Sequence, residues 1–176
     1  MNIKKCLIVV DYQNDFVSGS LGFPEAVELE HRIADKIRQY RSRGDQIVFT
    51  FDTHDANYMD GQEGRNLPIP HCIEGTDGHN LYGQVAELVD ENDKKLHKRT
   101  FGADSLYTYL KQEQFSSIEL VGLVSNICVI SNAILAKTAQ PETHIIADAN
   151  CTASYDSKLH MAALDIMSGL QIEVIR

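Results

Sequence analysis

The sequence predicts an α/β fold in which a parallel sheet of roughly six strands lies between two layers of helices. The first observation is an alternation of apolar, β-branched runs with segments of helical periodicity along the chain. The second is a length of 176 residues, which favours a single domain spanning residues 1–176. The third is the absence of any repeat, low-complexity tract or interdomain linker in the sequence. In such sheets, ligands bind beyond the carboxyl ends of the strands.

Short apolar runs predict the strands. In chain order they are Cys6–Val10, Gln46–Phe51, Ser117–Val124, His144–Ala147 and Gln171–Ile175. Lys94–Lys98 is a weaker sixth candidate, because it is mostly polar. The strands are joined by helical segments, and this rhythm predicts crossover connections that keep the strands parallel.

Amphipathic periodicity predicts the helices. The first begins at Pro24 and ends at Gly44, and it carries an apolar stripe formed by Leu29, Ile33, Ile37 and Tyr40. Further helices are predicted from Ala103 to about Glu113, over Asn126–Lys137 and over Asp156–Ser168, the last closed by Gly169. The stretch from Thr53 to Asn80 breaks the rhythm. It is too long for an ordinary connection, so we expect it to be functional.

The formal net charge of −9 argues against nucleic acid or an anionic membrane surface as the main partner. A small-molecule or protein partner fits better. The N-terminus shows no cleavage site for secretion, and no apolar stretch is long enough to span a bilayer. The four cysteines form no Cys-x-x-Cys pair, and free thiols suit a reducing compartment. These features predict a cytoplasmic protein.

Cys128 lies where an apolar strand gives way to a helix through a short polar turn. The helix dipole and the free amides of the first turn favour negative charge, so a thiol at this position is biased towards the nucleophilic thiolate. The alternative is a buried cysteine that acts as a small hydrophobic residue, which is the usual role of a free cysteine.

Asp11 ends the first predicted strand and Lys98 ends the weak one, so both side chains belong to the same edge of the sheet as Cys128. The alternative interpretation of Asp11 is a carboxylate that caps the following turn. For Asp15, this is the favoured interpretation. A basic run such as the one around Lys98 is often only a solvated surface.

Asp52 and His54 close the second strand, and His71 follows in the long loop. One carboxylate and two imidazoles suit a divalent transition metal, with zinc, iron and manganese as the candidates. Glu63 is a further candidate ligand from the same loop. The alternative is that these loop histidines only form hydrogen bonds, and that reading is kept for His31, His79, His97, His144 and His160.

Taken together, these motifs resemble the isochorismatase-like cysteine hydrolases, and in particular their nicotinamidase/pyrazinamidase branch. The motifs are Asp11-x-Gln13 with Phe16, Asp52-x-His54, Pro70-His71 with Gly75 and Gly78, Lys98 with Phe101, and Gly122 ahead of Cys128-Val129. They cover nearly the whole chain in the order that the family has them.

The resemblance implies a catalytic triad of Asp11, Lys98 and Cys128. It also implies a metal held by Asp52, His54 and His71, with Glu63 as a ligand in some members, and a non-proline cis peptide bond at Leu123-Val124. The activity implied is hydrolysis of a small amide, nicotinamide above all, in NAD salvage. Such α/β domains often form homo-oligomers, so we expect one here.

The implied mechanism has Asp11 accept the thiol proton while Lys98 offsets the developing charge, so that the sulfur attacks the amide carbonyl. The carboxylate and the thiol are then a coupled titration that shares a proton. The amides of Val124 and Cys128 hold the oxyanion, and water releases the resulting thioester. The metal binds the ring nitrogen or polarises a water, and Phe16 and Phe101 are candidates for packing against the ring.

Two positions depart from the nicotinamidase pattern. Leu67-Pro68-Ile69 stands where an aromatic residue is common, and Asn126 stands where many members have aspartate. A sister amidohydrolase acting on an N-carbamoyl or ureido compound therefore remains an alternative. An isochorismate-type hydrolase is disfavoured by the presence of Cys128, and a phospho-accepting receiver domain is disfavoured because Asp11 has no acidic neighbour. A binding protein without catalysis is a further alternative.

Overall fold

The computed structural model of the protein describes residues 4–176, so residues 1–3 of the predicted domain lie outside the described part. The strands are β1 (Cys6–Val10), β2 (Gln46–Asp52), β3 (Lys94–Lys98), β4 (Ser117–Leu123), β5 (His144–Ala153) and β6 (Glu173–Ile175). They form one six-stranded sheet in the order β3-β2-β1-β4-β5-β6. Every neighbouring pair is parallel, as the sequence predicted.

Helices cover both faces of this sheet. They are α1 (Asn14–Val17), α2 (Pro24–Glu28), α3 (Glu30–Ser42), α4 (Gln62–Asn66), α5 (Gly83–Glu87), α6 (Asp104–Gln112), α7 (Ile130–Ala139) and α8 (Ser157–Gly169). Short 3₁₀ helices occupy Tyr58–Asp60 and Asp77–His79, and a π-helical turn occupies Ser125–Val129. Among residues 4–176, no helix is long and apolar enough to cross a membrane.

The central strand β1 is buried on both sides, because its side chains alternate between two apolar cores. Ile8 and Val10 belong to the core that also contains residues of α6, α7 and α8. Leu7 and Val9 belong to the core that contains residues of α2, α3 and α5. The fold is therefore the predicted three-layer α/β/α sandwich.

Several predicted boundaries differ from the structure. The predicted helix from Pro24 to Gly44 is divided into α2 and α3 at Leu29. The predicted helix over Asn126–Lys137 begins as the π-helical turn and becomes α-helical only at Ile130. The last strand starts two residues later than predicted, since Gln171 takes a left-handed φ of 63° and ends the preceding turn.

Strand β5 extends well beyond the predicted His144–Ala147, and its pairing with β4 shifts register between Leu120 and Gly122. Gly122 has a φ of 109°, and a Cβ atom at this position would lie 2.1 Å from the carbonyl oxygen of Val10. The close approach of β1 and β4 therefore requires glycine here. This irregularity lies directly before the segment that carries Cys128.

Candidate active site

The carboxyl edge of the sheet brings together side chains from three strands. Asp11 directly follows β1, Lys98 ends β3, and Cys128 lies in the π-helical turn after β4. Asp11 has a left-handed φ of 44°, which is uncommon for a residue with a side chain and is typical of functional sites. All three residues are buried. The topology therefore assembles the predicted triad in one place.

Lys98 lies at the centre of this group. Its Nζ is 2.7 Å from Oδ2 of Asp11 and 3.4 Å from Sγ of Cys128. The same ammonium donates to the carbonyl oxygen of Thr100 at 3.0 Å. The other oxygen of Asp11 accepts a hydrogen bond of 2.6 Å from the hydroxyl of Thr50. An acid, an amine and a thiol are thus held in direct contact by residues of neighbouring strands.

Burial and charge set the protonation of the triad. Burial raises the pKa of the Cys128 thiol well above its ordinary value, and the negative charge of Asp11 raises it further, whereas Lys98 lowers it. Burial also raises the pKa of Asp11, although Lys98 opposes this. Burial alone would lower the pKa of Lys98, but the negative charges of Asp11 and Asp52 raise it. Lys98 is therefore a cation.

This result corrects one expectation. The position of Cys128 at a helix N-terminus predicted a bias towards thiolate, but the surroundings favour the protonated thiol. The thiol is buried and lies beside a carboxylate, and both conditions disfavour the thiolate. The sharing of a proton between Asp11 and Cys128 stays a prediction.

A second cluster lies beside the triad. One ligand atom each from Asp52, His54, Glu63 and His71 lies within 4.8 Å of all the others, so the cluster could hold a metal ion. Asp52 and His54 come from the end of β2, and Glu63 comes from α4. The His71 ring donates its Nδ1 hydrogen to the carbonyl oxygen of Ile69 at 2.8 Å.

The residues of this cluster fit a divalent transition metal. The hydrogen bond to Ile69 occupies Nδ1 of His71 and leaves Nε2, which lies 3.4 Å from Oδ2 of Asp52, as the ligand atom that faces the cluster. Burial raises the pKa of Asp52, but hydrogen bonds from His54 and His71 and the charge of Lys98 lower it overall, so Asp52 is ionised. Two imidazoles and two carboxylates are a ligand set for zinc, iron or manganese.

A cavity of about 360 Å³ opens above both clusters. Its walls are Phe16, Leu21, Gly22, Asp52, Glu63, Leu67, Ile69, His71, Phe101, Val124, Ile127, Cys128 and Tyr155. Phe16 packs against the His71 ring with 5.4 Å between centroids. Both predicted pocket aromatics, Phe16 and Phe101, therefore line the cavity, although Phe101 is partly exposed.

Of the two departures from the nicotinamidase pattern, one lies in the described wall of the cavity and the other does not. Leu67 and Ile69 line the cavity, so this wall is aliphatic. Asn126 is not among the described residues that line it. The peptide bond between Leu123 and Val124 is cis, as the resemblance implied. Val124 lines the same cavity as Cys128.

A second cavity, of about 430 Å³, lies on another side of the metal cluster. Its walls include His54, Glu63, Arg99 and Thr100. Glu63 is the one cluster residue that lines both cavities among those described for them, and it is more exposed than the other three. The cluster therefore borders two openings.

Sequence reasoning missed several residues of the site. Thr50 precedes Asp52 by two positions on β2, so strand alternation places both on one face. Asn132 follows Cys128 by one helical turn, and its side chain donates to the Cys128 carbonyl oxygen at 2.8 Å. Tyr155 lies two residues after β5. The second half of β5 is polar, so the sequence pattern predicted a strand only over His144–Ala147. For Thr50 and Asn132, the periodicity of the element was an available signal.

Comparison with known proteins agrees with this architecture. A family model described as the isochorismatase domain matches residues 5–176. Nicotinamidase of Saccharomyces cerevisiae is 25% identical, over 97% of this chain and 99% of its own. The crystal structure of nicotinamidase/pyrazinamidase PncA from Bacillus subtilis is 30% identical with a TM-score of 0.88, over 99% of this chain and 100% of its own. N-carbamoylsarcosine amidase from Thermoplasma acidophilum is 26% identical with a TM-score of 0.82, over 99% of this chain and 96% of its own. The chain belongs to the isochorismatase family.

Proposed function

We propose that this protein is a cysteine-dependent amidohydrolase, built as a single domain over residues 1–176, that converts nicotinamide to nicotinate and ammonia. The observation that carries the proposal is the position of Lys98, whose Nζ contacts both the carboxylate of Asp11 and the sulfur of Cys128. The nicotinamidase relatives support the same reaction class. A small neutral amide is the partner, and the reaction belongs to NAD salvage.

The charge of the cavity favours a neutral substrate. Its described walls contain the carboxylates of Asp52 and Glu63 but no lysine or arginine. N-carbamoyl amino acids, ureido acids and isochorismate carry carboxylates of their own, and no lysine or arginine in the described walls offers these groups a salt bridge. Nicotinamide and pyrazinamide carry no charge, and their rings suit the apolar wall formed by Phe16, Ile69 and Phe101.

The proposed reaction begins with Cys128. As Sγ attacks the amide carbonyl carbon, its proton passes to Asp11, and the ammonium of Lys98 offsets the negative charge on the two groups. The amides of Val124 and Cys128 donate to the oxyanion, an interaction worth about 3–4 kcal/mol in other hydrolases. The C–N bond then breaks, and Asp11 protonates the leaving nitrogen to give ammonia and a thioester.

The second half returns the enzyme to its starting state. Asp11 takes a proton from a water whose oxygen attacks the thioester carbonyl carbon. The C–S bond breaks, the carboxylic acid leaves, and the Cys128 sulfur regains its proton from Asp11. The raised pKa of Asp11 suits both roles, because a stronger base accepts the proton of a buried thiol more readily.

Asp52, His54, Glu63 and His71 would hold the metal, for which zinc is our first candidate and iron and manganese are the alternatives. Such an ion supplies a Lewis acid that binds a ring nitrogen or polarises water. Elemental analysis of protein purified without chelator tests this ligand set. We expect stoichiometric metal in the wild type and its loss in Asp52→Ala and His71→Ala.

The decisive experiment measures ammonia release from nicotinamide, pyrazinamide and N-carbamoylsarcosine. We expect the two neutral ring amides to be hydrolysed, and Cys128→Ala to lower kcat/KM by at least about 1,000-fold. Cys151→Ala is the matched control, because Cys151 is also a buried thiol but lies in β5 outside the cavity walls. Near wild-type hydrolysis by Cys128→Ala would exclude Cys128 as the nucleophile. A preference for N-carbamoylsarcosine would exclude nicotinamide as the substrate.

The alternative function is hydrolysis of an N-carbamoyl or ureido compound by the same three residues. The structural similarity to N-carbamoylsarcosine amidase favours it, with 26% identity and a TM-score of 0.82. The lack of a cation among the described cavity walls opposes it. The same ammonia assay distinguishes the two functions.

A further inference from the structure

Asn132 ties the segment of Cys128 to the segment of Lys98. Its side chain is fully buried on the first turn of α7. Nδ2 donates to the carbonyl oxygen of Cys128 at 2.8 Å and to that of Phe101 at 3.1 Å. Oδ1 accepts from the amide of Ala103 at 3.0 Å. The amide group therefore has partners for both hydrogens and for its oxygen, and these partners belong to two different segments.

These bonds close a ring of contacts around the triad. The loop held by Asn132 follows β3 directly and contains Thr100, whose carbonyl oxygen accepts from Nζ of Lys98 at 3.0 Å. Nζ of Lys98 in turn lies 3.4 Å from Sγ of Cys128. The ring thus runs from Cys128 through Asn132 and the loop to Lys98, and from Lys98 back to the Cys128 sulfur. A shift of the loop relative to α7 changes the distance between ammonium and sulfur.

We propose that Asn132 is a positioning residue that sets the distance between the Lys98 ammonium and the Cys128 thiol. The inference rests on the proposed function, since it treats Cys128 as the nucleophile. Asn132 is not among the described walls of the cavity, so it acts through the residues it holds. An error of about 1 Å in such a geometry can lower a rate about 100-fold.

Gln140 provides an internal control for this argument. It directly follows the last residue of α7, and its Nε2 donates to two carbonyl oxygens at the end of α6, those of Leu110 at 2.7 Å and Glu113 at 3.0 Å. Both amide side chains therefore link α7 to the α6 region, Asn132 at the loop before α6 and Gln140 at the end of α6. Of the two side chains, Asn132 is the one linked to the triad. If its role were purely structural, kcat would follow the loss of stability in the variants of both residues.

The variant Asn132→Ser separates the bond to Cys128 from the bonds to the loop. On α7, the hydroxyl of Ser131 donates to the carbonyl oxygen of Ile127 at 2.6 Å, and that of Thr138 donates to Ile134 at 2.7 Å. Asn132→Ser is therefore expected to keep a bond to the Cys128 carbonyl oxygen and to lose the bonds to Phe101 and Ala103 in the loop. Asn132→Leu, which is close to asparagine in size, loses both halves.

The experiment compares Asn132→Leu, Asn132→Ser and Gln140→Leu. Both Asn132 variants should lower kcat about 10–100-fold with little change in KM. Both should slow the alkylation of Cys128 by iodoacetamide, measured by peptide mass mapping. Gln140→Leu, which removes a half-buried side chain, should lower Tm and leave kcat and alkylation unchanged. Should Asn132→Leu fail to fold, Asn132→Ser carries the test.

Wild-type kcat and alkylation in a folded Asn132 variant would overturn the proposal. Equal losses in Gln140→Leu at equal Tm would also overturn it, because the effect would then follow stability alone. Alkylation reports on the thiol without amide turnover. If the wild type hydrolyses no amide, the proposed function fails while the alkylation comparison still decides the role of Asn132.

Discussion

Oδ1 of Asp52 lies 3.2 Å from Nζ of Lys98. The other oxygen of the same carboxylate lies 3.0 Å from Nε2 of His54 and 3.4 Å from Nε2 of His71. One buried side chain therefore belongs to the metal cluster and also contacts the central cation of the triad. This carboxylate couples the cluster to the thiol, because its negative charge contributes to the raised pKa of Cys128.

Asp52→Asn should change both properties. We expect it to lose bound metal, and we expect faster alkylation of Cys128 when metal-free variant and metal-free wild type are compared. The reason is that the negative charge of Asp52 contributes to the raised pKa of the Cys128 thiol. His54→Gln is the control, since it should lose metal while its metal-free alkylation rate stays at the wild-type value. Equal rates in Asp52→Asn and wild type would contradict the coupling.

Thr50→Val should shift the pH dependence of catalysis. Burial raises the pKa of Asp11, and the hydrogen bond from Thr50 is one of the interactions that oppose this rise. Removing the bond raises the pKa further, and Asp11 must be deprotonated to act as the base. The acidic decline of kcat/KM should therefore move to higher pH. A profile that superimposes on that of the wild type would show that Asp11 is not the titrating base.

Gly122→Ala should destabilise the fold by about 2–4 kcal/mol. A Cβ atom there would lie 2.1 Å from the Val10 carbonyl oxygen, at a φ of 109°. Gly169 in α8 is the matched control, because a Cβ atom at that position meets nothing within 4 Å. Gly169→Ala should be neutral or stabilise by up to about 1 kcal/mol. Urea unfolding measures both, and equal midpoints would contradict the packing argument.

Lys36→Met should remove the cation of a buried network. Nζ of Lys36 lies 2.7 Å from Oε1 of Glu119 and 2.7 Å from Oδ2 of Asp148. Breaking such a network leaves uncompensated charges and costs about 3–5 kcal/mol near neutral pH. Arg38→Met on the same helix is the control, since its ion pair with Asp35 is largely exposed and is worth about 0–1 kcal/mol.

The same variant has a predicted pH dependence. Burial alone would raise the pKa of Asp148, but the hydrogen bond from Lys36 holds it below its ordinary value of 3.8. A lowered carboxyl pKa stabilises the fold above the unfolded pKa, and this contribution is lost as the pH falls through the folded pKa. The stability gap between wild type and Lys36→Met should therefore shrink from neutral pH to about pH 3. A stability difference that stays constant over this pH range would contradict the predicted direction.

The strands of the sheet and the edge of the site were predictable because each depends on local pattern and topology. Buried parallel strands require continuous apolar runs, and parallel strands end at one edge. Asp11 and Cys128 follow such runs, and Lys98 ends the mostly polar strand β3 at the same edge, so their meeting required no knowledge of distances. Asp52 and His54 were placed by the same argument, and Glu63 joined them as a candidate from the loop.

The remaining features depend on tertiary contacts that local pattern does not encode. Nothing in the apolar stripe from Leu29 to Tyr40 marks the break between α2 and α3. The raised pKa of Cys128 follows from its burial beside Asp11, whereas sequence position indicated only the helix terminus. The role of Asn132 as a link depends on the path of the loop after β3, which periodicity cannot supply.

The cluster of Asp52, His54, Glu63 and His71 borders an apolar cavity on one side and a polar cavity on the other. A ring carboxamide that fills the apolar side leaves the polar side clear to solvent. Under the proposed function, an ion in the cluster would exchange through the polar cavity while the substrate occupies the apolar one. A chelator that enters past Arg99 and Thr100 would then meet Glu63 first, so ion loss should follow kinetics that substrate occupancy does not slow.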